Sequence, residues 1–77
     1  MDDYRIKRLA QIQQLSNKVR AVLIKESLPI SITQNKLSIL TGLKSNDIAN
    51  IMMRFRLIGY IDYVYIGGEY HIAKMSF

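Results

Sequence analysis

The sequence predicts a mainly α-helical fold with one small β-hairpin, and three observations predict it. Residues 33–61 hold a short apolar-periodic segment, a break at Thr41-Gly42-Leu43, and a longer amphipathic segment over 45–59. That is the layout of a helix-turn-helix. Residues 3–27 repeat apolar side chains at helical spacing. Residues 60–66 and 69–73 are rich in β-branched and aromatic residues and flank Gly67-Gly68, a strong two-residue hairpin signal.

The elements follow in order. Leu9, Ile12, Leu15, Val19, Val22 and Leu23 recur at spacings of three and four, as one face of a helix requires. Asp2 and Asp3 sit where a helix dipole favours negative charge. Ser16-Asn17 interrupts the strong helix formers, and either residue can cap a fresh helix near 17–27. One long helix and two shorter ones both fit. Leu28-Pro29 ends the segment, because proline disfavours helix in the residue before it. Ile30-Ser31-Ile32 reads as a three-residue strand. Thr33 is the expected N-cap of a helix over 34–41 that buries Leu37 and Leu40, helped by Ile39. Gly42 supplies the tight turn. Ser45 is the expected cap of the third helix, with Asp47 in its first turn and Gly59 just past its end. The Gly67-Gly68 turn sets a register of Ile66 opposite Glu69, Tyr65 opposite Tyr70, Val64 opposite His71 and Tyr63 opposite Ile72. Ile61, Tyr63, Tyr65, Tyr70 and Ile72 then form the more apolar face, which should pack on the helices.

Composition narrows the function. Seventy-seven residues make one small domain, and such a chain buries only about 60% of its unfolded surface. The divisions are an N-terminal helical extension over 1–16, a helix-turn-helix over 33–58 and a wing-like hairpin over 60–74. With no cysteine there is no disulfide framework and no cysteine metal site. No apolar run approaches the roughly 20 residues of a membrane span, and MDDYRIKR lacks the apolar stretch of a signal peptide. An intracellular, cytoplasmic protein is expected. High Ile with Lys and Tyr is compatible with an AT-rich genome, including small viral or plasmid genomes. The net charge of +5 suits nucleic acid, an anionic membrane or an acidic partner. Residues 4–25 carry Arg5, Lys7, Arg8, Lys18, Arg20 and Lys25 without an acidic residue among them. Individually these read as a solvated face; together they suggest a side that faces phosphate.

At 100° per residue, Ile48, Ile51, Met52, Phe55 and Ile58 share the buried face of the third helix. Asn46, Asn50, Met53 and Leu57 point the opposite way, with Arg54 on the flank. Asparagine pairs bidentately with adenine, and arginine with guanine or phosphate. Asn46, Asn50 and Arg54 are therefore the candidate base contacts. Lys44, Ser45 and the first amides of the helix are candidates for a phosphate. Met53 and Leu57 fit three roles: contact with thymine methyls, cover for an edge of the wing, or a protein interface.

The run from Lys44-Ser45-Asn46-Asp47-Ile48 to Arg56-Leu57-Ile58-Gly59-Tyr60-Ile61 resembles the recognition helix and first wing strand of winged helix-turn-helix regulators. The resemblance covers residues 17–75 and implies the order helix, short strand, helix, helix, strand, strand. It implies sequence-specific binding of double-stranded DNA, with residues 45–57 in the major groove. Phosphate contacts would come from Lys36, Lys44, Ser45, Arg56, Lys18 and Arg20. The hairpin departs from the family pattern, since its tip carries Ile66, Gly67, Gly68 and Glu69 where such wings usually carry Arg or Lys.

Other classes fit less well. A single histidine, no cysteine and carboxylates explicable as caps or surface charges argue against an enzyme, and no spacing suggests zinc or calcium. No cofactor is expected, and His71 reads as a surface residue. The tyrosines alternate within strands, which fits core packing better than stacking of single-stranded bases. The basic N-terminal stretch lacks Trp or Phe on its apolar face, which speaks against a membrane-surface helix. Leu9, Ile12 and Leu15 exceed what the compact core needs and are the expected homodimer seam, with operator half-sites about one helical turn apart. The alternative is a protein-interaction module on the same scaffold, inside a transcription, replication or remodelling complex.

Overall fold

Ser16-Asn17 does not break the first helix. In the computed structural model, which describes residues 3–77, α1 runs unbroken as Asp3–Leu23. Asp2 and the Asp3 side chain lie outside the described residues, and with them the expected dipole contact. The helix stops at Leu23, short of the boundary expected near Pro29. The chain there tightens into bonds from Lys25 N to the Val22 carbonyl and from Glu26 N to the Leu23 carbonyl. Residues 24–28 are all exposed, so no burial sustains further turns.

Then follow β1 (Ile30–Thr33), α2 (Gln34–Thr41), α3 (Ser45–Ile58), β2 (Ile61–Ile66) and β3 (Glu69–Met75). The three strands form an antiparallel sheet in the order β1-β3-β2, so β2 lies at an edge. Three helices packed with a hairpin and one short extra strand make a mainly α, winged-helix-like arrangement. The register is the one the Gly67-Gly68 turn predicts. Both glycines have positive φ, 58° and 78°, as a type I′ turn demands. A register shift between Asp62 and Tyr63 leaves Ala73 as the extra residue opposite them.

The core joins all six elements. Val19 and Leu23 of α1, Ile30 and Ile32 of β1, Leu37 of α2, Ile48, Ile51, Met52 and Phe55 of α3, and Ile61, Tyr63, Tyr70 and Ile72 of the hairpin are buried, with Leu43 from the turn. Each fully buried aliphatic side chain contributes about 1.5–3 kcal/mol. Four expected core residues lie outside. Leu40 and Ile39 are exposed because two-turn α2 meets its neighbours only along the Leu37 line. Ile58 ends α3 beyond the packed stripe and is exposed. Tyr65 extends past the helices and leans on Tyr70, with ring centroids 4.6 Å apart.

The C-terminal part of α1, from Leu15 on, is anchored. Val19 and Leu23 are buried and Leu15 and Val22 pack against the core, whereas Tyr4, Ile6 and Leu9 are exposed. A 21-residue helix is about 31 Å long, so its N-terminal half overhangs the body. The described residues measure 43 × 23 × 21 Å and have a radius of gyration of 12.8 Å, above the roughly 11–12 Å of a compact chain this size.

Candidate nucleic-acid interface

The candidate interface is built on the turn between α2 and α3. Thr33 caps α2 as expected, its hydroxyl accepting from Lys36 N at 3.0 Å. Gly42, at φ 72°, ends it in the left-handed conformation, and its N–H donates to the Ser38 carbonyl. The Ser38 hydroxyl donates to the Leu43 carbonyl, and the Thr41 hydroxyl donates to the Leu37 carbonyl at 2.6 Å. With buried Leu43, these bonds fix the angle at which α3 leaves the turn.

Ile48, Ile51, Met52 and Phe55 hold α3 against the body. This leaves Asn46, Asn50, Met53, Arg54 and Leu57 exposed on the opposite side and flank. The N-cap position is Lys44, not Ser45: its backbone is extended and its side chain makes no capping bond. Ser45 is the first helical residue. The opening amides of α3 therefore carry no side-chain cap, and Lys44 stands beside them.

Gln34 is a junction that the sequence pattern does not signal. Its N–H donates to the Gly68 carbonyl at 3.0 Å. Its side-chain Oε1 accepts from the Tyr70 hydroxyl at 2.8 Å, and its Nε2 donates to the Ser45 carbonyl at 3.4 Å. One side chain thus ties the hairpin to the start of α3. Burial raises the Tyr70 hydroxyl to about 12, with a further push from Tyr63 and Tyr65, so it stays a donor. Tyr63 is also raised by burial, partly offset by the Arg56 guanidinium.

The basic candidates separate. Lys36, Lys44 and Lys18 are exposed on α2, before α3 and on α1. Arg56 stacks over Tyr63 at 4.6 Å, and Arg20 over Phe77 at 5.6 Å. Those two guanidinium groups face aromatic rings rather than the start of α3.

Two clefts border the overhanging part of α1. The larger, about 700 Å³, lies between Tyr4, Lys7 and Arg8 of α1 and Asn50, Met53 and Leu57 of α3, with Arg54 and Asp47 also on its wall. The smaller, about 450 Å³, is lined by Leu9, Ile12, Arg20, Ile58, Tyr60 and Phe77, with Arg54 shared between the two. Phe77 closes one end of it through edge contact with Phe55 at 4.9 Å. The residues expected to form a dimer seam divide here. Leu9 is exposed and Ile12 half-buried between the clefts, whereas Leu15 packs into its own core. Leu15 stands one turn from the anchored end of α1, and the body reaches it.

His71 does more than face solvent. Its Nε2 lies 3.3 Å from Glu69 and its Nδ1 3.2 Å from the Ser31 hydroxyl, a link between β1 and β3 that a single tautomer satisfies. The acidic wing tip is thereby partly engaged within the sheet. Among the described residues no group of His, Asp and Glu is placed to hold a metal, and no helix is long and apolar enough to cross a membrane.

No family model, no curated protein and no solved structure matches this chain.

Proposed function

We propose that the chain is a double-stranded-DNA-binding transcription regulator that reads sequence with α3 from the major groove. The carrying observation is the outward face of α3: Asn46 and Asn50 project from a helix whose other side is locked into the core and whose first turn has no side-chain cap. An asparagine on an exposed helix face matches the donor-acceptor pair of adenine. Arg54 adds a guanine or phosphate contact from the flank. Free amides at the start of α3, with Ser45, Lys44 and Lys36, suit backbone phosphates. Lys18 adds to the positive field. Arg20 and Arg56 contribute charge from their ring-stacked positions.

A single module of this size offers little interface, so specific affinity calls for two copies. Leu9 and Ile12, joined by exposed Ile58 and Tyr60 around the smaller cleft, supply a self-complementary apolar face for a homodimer. Anisotropy titration of random duplex DNA across a salt series tests the reading. Expected is micromolar binding whose logarithm falls linearly with log salt; no binding at ~50 mM salt overturns it. Asn50→Ala should lower specificity and Arg54→Ala affinity. Sedimentation tests the dimer, which a monomer at tens of micromolar protein contradicts.

A protein-interaction module is the second reading, favoured by Met53 and Leu57, which are 51% and 79% exposed. Under it, Met53→Asp abolishes partner binding while DNA affinity is negligible from the start.

A further inference from the structure

The apolar stripe that anchors α1 changes character as the helix leaves the body. Leu15 and Val19 pack on or within the core, and Ile12 is half-buried at its border. Continuing the same stripe toward the N-terminus at helical spacing gives Arg8 and then Tyr4. A leucine at position 8 would let the overhang close onto α3 and remove apolar surface from water. A guanidinium keeps its hydration and holds that space open. The result is the larger cleft, in which Lys7 and Arg8 stand across from Asn50, Met53 and Leu57, with Arg54 on the wall.

We propose that this cleft carries one phosphodiester strand of duplex DNA, with Lys7 and Arg8 gripping phosphates while α3 occupies the adjoining groove. The inference rests on the DNA-binding reading and deepens it by assigning a second wall to the site. Charge complementarity selects the occupant: Lys7, Arg8 and Arg54 face the cleft against one carboxylate, Asp47. Among the described residues no ion pair engages these three cations. Met53 and Leu57, unusual on a helix aimed at base edges, lie on the α3 wall of the cleft, which Ile12, Leu15 and Ile51 also line, and suit the faces of deoxyribose. Asp47 repels phosphate at the end of the cleft nearest the start of α3, which steers the strand toward Arg8 and Arg54.

The test is the salt-series titration of the full chain on a random duplex, comparing wild type, Lys7→Ala/Arg8→Ala and Asp47→Asn. Melting temperature checks the fold, since neither lysine nor arginine touches the core. Expected for the double variant is a log-log salt slope reduced by about 2, at ~0.9 per phosphate, and binding at least about tenfold weaker at low salt. Asp47→Asn should bind severalfold tighter. If wild type binds with a clear salt slope and the double variant matches it, the cleft proposal is overturned while the DNA reading stands. If wild type does not bind at low salt, the DNA reading itself has failed. If the double variant changes the sedimentation state instead of the slope, a second copy occupies the cleft and the proposal is wrong.

Discussion

The Tyr70 hydroxyl donates to Gln34 Oε1 at 2.8 Å, and through that bond the buried face of the hairpin is tied to the start of α3. Gln34 also holds the Ser45 carbonyl and the Gly68 carbonyl. Three segments thus meet at one residue: its backbone N–H holds the hairpin turn, and its side chain joins Tyr70 of β3 to the start of α3.

Gln34→Ala removes this junction and leaves the Tyr70 hydroxyl, on a residue 3% exposed, without its partner. The expected cost is about 1–3 kcal/mol, visible as a melting point lowered by several degrees. Sequence discrimination should fall more than total DNA affinity, because α3 loses a positional restraint while every cation remains. Unchanged melting and discrimination would show that the junction is decorative.

Tyr70 predicts an alkaline limit to stability. An ordinary tyrosine ionises near 10, and burial moves Tyr70 up to about 12. Between those values the folded state holds a proton that the unfolded state has released. The contribution is therefore complete below pH ~10 and is lost as pH rises through about 12, on the order of 2 kcal/mol. Denaturant titrations of wild type and Tyr70→Phe should diverge at neutral pH and draw together as pH rises from ~10 toward about 12. Parallel curves would contradict this.

Met52 is fully buried on α3, directly behind the outward asparagines. Met52→Ala should destabilise the domain by about 2–5 kcal/mol, a large part of the stability of so small a fold. Chemical denaturation reads the loss as a lower midpoint at an unchanged slope.

Arg8→Leu sets packing against binding. It completes the apolar stripe of α1, so melting temperature should rise while affinity for duplex DNA falls. A variant that loses both, or gains both, would refute the division of labour along α1.

The hairpin was the most legible part of the chain. Gly67-Gly68 admits both positive φ values, and the alternation around it leaves one register that buries Ile61, Tyr63, Tyr70 and Ile72 together. The α2–turn–α3 unit was legible for the same kind of reason, through Thr33, Gly42 and the stripe of Ile48, Ile51, Met52 and Phe55. What depended on neighbours was harder to read. Leu40, Ile39 and Ile58 are apolar at helical spacing, yet they lie beyond the packed stripes and are exposed. Leu15 had the pattern of a seam residue, and it is half-buried against the core while also lining the larger cleft. Gln34 carries no periodic signal, because its partners come from the hairpin and from the carbonyl of Ser45. The larger cleft was hidden because its meaning lies in where α1 departs from the core, and spacing alone does not say where a neighbouring helix ends.

The edge position of β2 has a consequence for how these molecules behave in concentrated solution. One side of that strand has no protein partner within the sheet. Its sequence, Ile61-Asp62-Tyr63-Val64-Tyr65-Ile66, combines high β-propensity with no proline and a single charge, and Val64 and Ile66 are exposed. Such an edge is a template on which another chain can extend the sheet. Asp62, exposed near its start, is its one electrostatic gatekeeper. A neutral residue in its place should raise the tendency of the chain to form fibrils on concentration, read as thioflavin-T fluorescence.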